Sequence, residues 1–129
     1  MIRIEVDPAL SPDQLDALWR SAWGTAAGEY TQRVLPRSLA YLGAFDTDRL
    51  VGFVNVAWDG GAHAFVLDTC VHADFQRRGI ATMLVRRAAE VAKDRGADWL
   101  HVDFEPHLEG FYRACGFRPT AAGLIDLTK

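Results

Sequence analysis

Val71-His72-Ala73-Asp74-Phe75-Gln76-Arg77-Arg78-Gly79-Ile80-Ala81 carries an apolar strand through a short basic turn into a helix. The first turn of a helix has backbone N–H groups without partners and the positive end of the helix dipole, so such a junction attracts an anion, above all a phosphate. Arg77 and Arg78 add positive charge there, and Gly79 lets a ligand come close to the main chain. The stretch is expected to hold a phosphorylated ligand.

The elements on either side follow from local pattern. Upstream, Ser38 to Phe45, Leu50 to Trp58 and His63 to Val71 read as three strands joined by Asp46-Thr47-Asp48 and Asp59-Gly60-Gly61, an antiparallel meander. Ile2, Ile4 and Val6 alternate with Arg3, Glu5 and Asp7 as a half-buried strand. Ser11, Pro12 and Gln14 make a helix start with a cap, a first-turn proline and a capping box. Leu15, Leu18, Trp19, Ala22 and Trp23 then repeat at helical spacing up to Gly24, and both tryptophans read as core. Thr25 to Pro36 is a second short helix or an ordered loop.

Downstream, Gly79 to Arg95 is the strongest helix, with Ile80, Leu84, Ala88 and Val91 on one face and Arg86 paired to Glu90 on the other. Trp99 to Glu105 alternates as a strand. Leu108, Phe111 and Tyr112 suggest a short helix closing at Gly116, and Leu124 to Leu127 gives a last strand. The pattern is α+β, with helices covering both sides of a mixed, mostly antiparallel sheet in three α/β/α layers.

At 129 residues the chain is expected to be one domain spanning 1–129. Its net charge of -3 argues against nucleic acid as a partner. The basic residues nonetheless cluster at Arg77, Arg78, Arg86, Arg87, Lys93 and Arg95, which suits a small polyanion. No signal peptide or membrane span can be drawn. Cys70 and Cys115 sit in apolar surroundings without metal-ligand spacing, which fits free thiols in a reducing cytoplasm. His101 and His107 lack a third ligand at a diagnostic spacing, so no metal is expected. His63 and His72 are given no role.

Gln76-Arg77-Arg78-Gly79-Ile80-Ala81 resembles the Q/R-x-x-G-x-G/A signature of the GNAT family of N-acetyltransferases, and Tyr112 to Phe117 resembles its Y-x-x-x-G-F ending. The two motifs stand in the right order on the right elements, and the resemblance covers essentially the whole chain. It implies a GNAT-like fold whose splayed strands form an acetyl-coenzyme A groove. On this reading Gln76, Arg77, Arg78, Gly79, Ile80, Ala81 and Thr82 hold the pyrophosphate. Thr69, Cys70 and Val71 bind the pantetheine arm and thioester through their main chain, with the N–H of Cys70 or Val71 as oxyanion donor. Tyr112 matches the tyrosine that protonates the departing thiolate. The resemblance also suggests a homodimer. Ala73 replaces a frequent proline, Ala81 the second glycine, and Glu105 an asparagine that often contacts the cofactor; Glu105 is then free to face the acceptor.

Acetyl transfer to an amine needs a base, because most amines are protonated at neutral pH. Asp68 is the first candidate, with His101, Asp103 and Glu105 on the next strand. A carboxylate inside Phe65-Val66-Leu67-Asp68-Thr69-Cys70 is either such a group or an outward-facing, solvated one. The resulting expectation is a direct, sequential acetyl-coenzyme A-dependent transfer to the primary amine of a small molecule or peptide. An acyl-coenzyme A sensor of the same fold is the alternative, and a small nucleotide-binding domain ranks last. The acceptor itself is not legible.

Overall fold

In the computed structural model, which describes all 129 residues, the meander forms as the sequence suggests. Strands β1 (Ile2–Val6), β2 (Ser38–Asp46), β3 (Arg49–Trp58) and β4 (His63–Val71) run antiparallel in chain order. A fifth strand, β5 (Trp99–His101), lies parallel to β4, giving the order β1-β2-β3-β4-β5.

Helix α1 (Pro12–Trp23) begins at Ser11, whose hydroxyl accepts from the Gln14 N–H while Gln14 reaches back to the Ser11 N–H. This reciprocal pairing satisfies two donors that the helix start would otherwise leave open. The Thr25–Pro36 stretch resolves into α2 (Tyr30–Arg33) followed by a 3-10 turn at Leu35–Arg37. Helix α3 (Ile80–Asp94) starts at Gly79, and α4 (Glu109–Ala114) follows a 3-10 turn at Pro106–Leu108.

Two cores sandwich the sheet. On one face α3 seats Ile80, Leu84, Ala88 and Val91 against Leu42, Val54, Val56 and Val66. On the other, Leu15, Leu18 and Trp19 of α1 pack on Phe53, Phe45 and Cys70. Gly52 of β3 is what lets α3 come in so closely. A Cβ there would stand 3.0 Å from the Leu84 Cδ1 and 3.1 Å from the Ile80 Cγ2. The start of α3, and the turn before it, are thus fixed against the sheet.

Three expectations are corrected. The Trp99–Glu105 strand is hydrogen-bonded only to His101, although Leu100, Val102 and Phe104 stay half-buried and their neighbours exposed. Leu124–Leu127 forms no strand; Leu124, Ile125 and Leu127 are 85–90% exposed, because no strand lies alongside to accept them. Arg86 does not pair with Glu90. Its guanidinium instead donates to the Ala114 carbonyl at 2.8 Å, tying α3 to the end of α4, while Glu90 lies 3.7 Å from Arg87.

Candidate active site

The strand-to-helix turn is shaped by left-handed backbone at Arg77 (φ 64°) and Gly79 (φ 79°). Its ends are pinned: Gln76 Nε2 donates to the Val71 carbonyl at 3.2 Å, and the Ala73 N–H donates to Ser21 Oγ on α1 at 2.9 Å. Between those pins and the first regular bond of α3, from the Met83 N–H to the Gly79 carbonyl, the N–H groups of Gln76 through Thr82 meet no acceptor in the chain. A run of free donors at a helix start, with arginines beside it, is an anion cradle.

The cradle opens onto a gap between strands. β4 and β5 pair only at His63–Trp99, Ala64–Leu100 and Phe65–His101, so β4 runs on to Val71 without a neighbour on that side. A cavity of about 290 Å³ lies along this free edge, lined by Thr69, Cys70, Val71, Gln76, Arg77, Ala81, Tyr112 and the apolar Trp23, Phe75, Leu108 and Phe111. Trp23 is 46% exposed and faces this space, which corrects its assignment to the core. A larger recess of about 710 Å³ lies between β5 and the C-terminal segment but touches neither the cradle nor Tyr112.

Tyr112 is held by three phenylalanines, with Phe104 stacked at 5.0 Å and Phe111 and Phe117 edge-on at 4.8 and 5.7 Å. Burial pushes its phenol above the ordinary tyrosine range, with the Thr69 side chain opposing that shift. The Thr69 hydroxyl is itself buried and lies against that phenol. It adds a side chain to a position expected to act through its main chain alone.

Asp68 stands where β4 kinks. Phe53 faces Cys70 but Asn55 faces Leu67, so β4 holds one more residue than β3 across this step, and Asp68 takes the left-handed conformation (φ 57°). The kink turns its carboxylate away from the sheet to accept the Tyr30 hydroxyl at 2.7 Å. Cys70, two residues on, is buried, and burial and then Asp68 push its thiol up to about 12. It therefore stays a thiol, not a nucleophile.

The remaining expected residues divide. Ile80 is buried in the core, so only its N–H faces the cradle, and Thr82 is half-buried beside it. Arg78 lies over the Phe75 ring at 4.9 Å, outside the cavity wall that Arg77 lines. Glu105 is exposed at the start of the Pro106 turn and does not line the cavity, because β5 has ended before it. His101 ends β5 and faces β4, with Nε2 2.8 Å from His63 Nδ1 and its ring stacked on Phe65. No group of three or more metal-ligating side chains forms, and no helix is long and apolar enough to cross a membrane.

Two residues of the site escaped the sequence. Tyr30 lies 38 positions from Asp68 and carries no local signal. Asn55 is the one polar side chain in the buried set, 1% exposed, and its place in the apolar run Leu50–Trp58 was the signal available.

Residues 7–117 match the model of the acetyltransferase (GNAT) family. An acetyltransferase of that family from Streptococcus pneumoniae superposes with a TM-score of 0.80 at 27% identity, covering 98% of this chain and 99% of that one. A Bacillus subtilis acetyltransferase solved in complex with coenzyme A gives a TM-score of 0.76 at 26% identity, over 94% and 79% of the two chains. A probable glucosamine 6-phosphate N-acetyltransferase from rice (Oryza sativa subsp. japonica) is 38% identical over 58 residues, or 45% of this chain. The matches span only 35–40% of the length of the first curated relatives.

Proposed function

The chain belongs to the GNAT acetyltransferase family, and we propose that it moves an acetyl group from acetyl-coenzyme A directly to the primary amine of a small molecule or peptide. The observation that carries this reading is the run of free N–H groups from Gln76 to Thr82, which opens onto the unpaired edge of β4 with Tyr112 on the same cavity wall.

Bound acetyl-coenzyme A would supply an acetyl group activated by a thiolate leaving group. The Gln76–Thr82 N–H groups and Arg77 fit its pyrophosphate, and the free edge of β4 at Thr69, Cys70 and Val71 fits its arm. The N–H of Cys70 or Val71 serves as oxyanion donor, preset in a largely apolar cavity where such a donor counts most. Tyr112, kept protonated by burial, gives its proton to the departing sulfur.

On the other side of the β4 kink, Asp68 takes the proton of the incoming ammonium and leaves a neutral amine to attack; as the C–N bond forms and the C–S bond breaks, the second proton the nitrogen sheds restores the one Tyr112 gave to sulfur. Its exposure suits a group that meets substrate from solvent. The buried, protonated Cys70 supports transfer without an acyl-enzyme. Glu105, exposed and ahead of α4, is available to the acceptor's distal part. A sensor would need the cradle alone; Tyr112 and Asp68 favour an enzyme.

Two free cysteines suit a reducing, cytoplasmic setting. A homodimer is the expected assembly, with Leu124, Ile125 and Leu127 as apolar surface available to it, and light scattering tests it. The activity is tested by following free thiol released from acetyl-coenzyme A against a panel of amines, aminoglycosides and peptides. Amine-dependent release is expected, and binding without release to any acceptor would favour the sensor.

A further inference from the structure

We propose that Tyr30 is a positioning residue for the amine side of the site, fixing the Asp68 carboxylate through the hydrogen bond from its hydroxyl. The proposal rests on reading Asp68 as the group that takes the amine proton.

The surroundings of that hydroxyl are built from the inside out. Ser38 Oγ donates to Asn55 Oδ1 at 2.5 Å, and the Asn55 side chain acts on the Tyr30 phenol against the upward push of burial. Tyr30 then donates its hydroxyl hydrogen to Asp68 Oδ2 at 2.7 Å. Each member has a separate reason to be rigid. Asn55 is 1% exposed within β3. The Tyr30 ring lies 5.0 Å from Trp19 and edge-on to Phe53 at 5.8 Å. The segment leading into α2 is clamped by Asp16, whose Oδ1 accepts from the Ala27 and Gly28 N–H groups at 2.8 and 3.1 Å.

A buried asparagine costs stability unless its hydrogen bonds are met, and a left-handed aspartate is strained. Both features occur at this one place, on either side of the same phenol. The phenol is held above its ordinary range by burial and by Asp68, so it remains a donor. Tyr30 is also absent from the cavity wall that Tyr112 lines, so it does not touch the coenzyme side.

The consequence is a carboxylate with one oxygen committed and one free. Asp68 Oδ2 is bound by Tyr30, and Oδ1 has no partner in the chain. An ammonium arriving from solvent meets Oδ1, passes its proton to it, and is left as a neutral amine with its lone pair free. Holding the carboxylate in one orientation aligns that transfer, which is the kind of gain that positioning gives.

The test is a double-mutant cycle of Tyr30→Phe and Asp68→Asn, assayed with the best amine found in the thiol-release screen. Tyr30→Phe keeps the ring contacts, and circular dichroism melts set an assay temperature at which every variant is folded. Expected for Tyr30→Phe is a fall of about tenfold in kcat/KM for the amine, with the dissociation constant of acetyl-coenzyme A unchanged, and little further loss when it is added to Asp68→Asn. An equal loss in both backgrounds, or a weakened acetyl-coenzyme A affinity, would make Tyr30 a merely structural residue and overturn the proposal. If Asp68→Asn alone leaves the rate intact, it is the reading of Asp68 that falls.

Discussion

On the amine side of the β4 kink, Tyr30 commits its hydroxyl to Asp68 at 2.7 Å, whereas on the coenzyme side the Tyr112 phenol faces no carboxylate partner and has the Thr69 side chain beside it on the cavity wall. Both phenols are raised above the ordinary tyrosine range, and burial is the first cause for each. The difference lies in what each hydroxyl is free to do. A phenol already donating to a carboxylate can orient that carboxylate but has no proton to spare for substrate. A phenol with an open hydroxyl on a cavity wall can deliver its proton to whatever leaves there. On the proposed reading the same residue type serves opposite ends of one transfer, Tyr30 behind Asp68 and Tyr112 on the cavity wall.

That contrast breaks most visibly at Tyr112. Tyr112→Phe keeps the ring stack with Phe104 but removes the proton, so kcat should fall about 100-fold while coenzyme A affinity, read by calorimetry, stays the same. An unchanged kcat would leave the two tyrosines functionally alike. Cys70 lies between them and sharpens the contrast by doing neither job. Cys70→Ala should stay within about threefold of wild-type turnover, and intact-mass spectrometry of the wild type with acetyl-coenzyme A alone should show no acetyl adduct.

The smallest effect is on stability at high pH. Cys70, Tyr30 and Tyr112 all have raised folded-state values, so the neutral forms are the ones the fold favours. Their contribution is complete below the ordinary cysteine value and is lost as the pH climbs, through about 12 for Cys70. Urea midpoints measured from about pH 8 to about pH 11 should therefore decline, and less steeply for Cys70→Ala.

The parts of the molecule legible in the sequence are those made by neighbours in the chain. The Ser11–Gln14 capping box, the meander turns and the strand-to-helix junction at Val71–Ala81 each need only a few adjacent residues. The end of β5 was not legible, because the apolar alternation of Trp99–Glu105 continues past the point where β4 diverges and hydrogen bonding stops. Leu124–Leu127 has the composition of a strand but no strand beside it. The cradle and Tyr112 could be placed from local motifs, and Asp68 from its odd position in an apolar run. Tyr30 could not, since its meaning depends on a partner brought near only by the fold.

Transfer depends first on acetyl-coenzyme A seating in the Gln76–Thr82 cradle, and calorimetric titration of acetyl-coenzyme A into the wild type and Gly79→Val tests this most directly. Gly79 has φ 79° with nothing within 4 Å of an added Cβ, so valine disturbs the turn through its backbone and not through a clash. One-to-one binding by the wild type, weakened about tenfold in the variant, is the result expected from a strain of about 1–2 kcal/mol. Equal affinities, or no binding by the wild type, would contradict it.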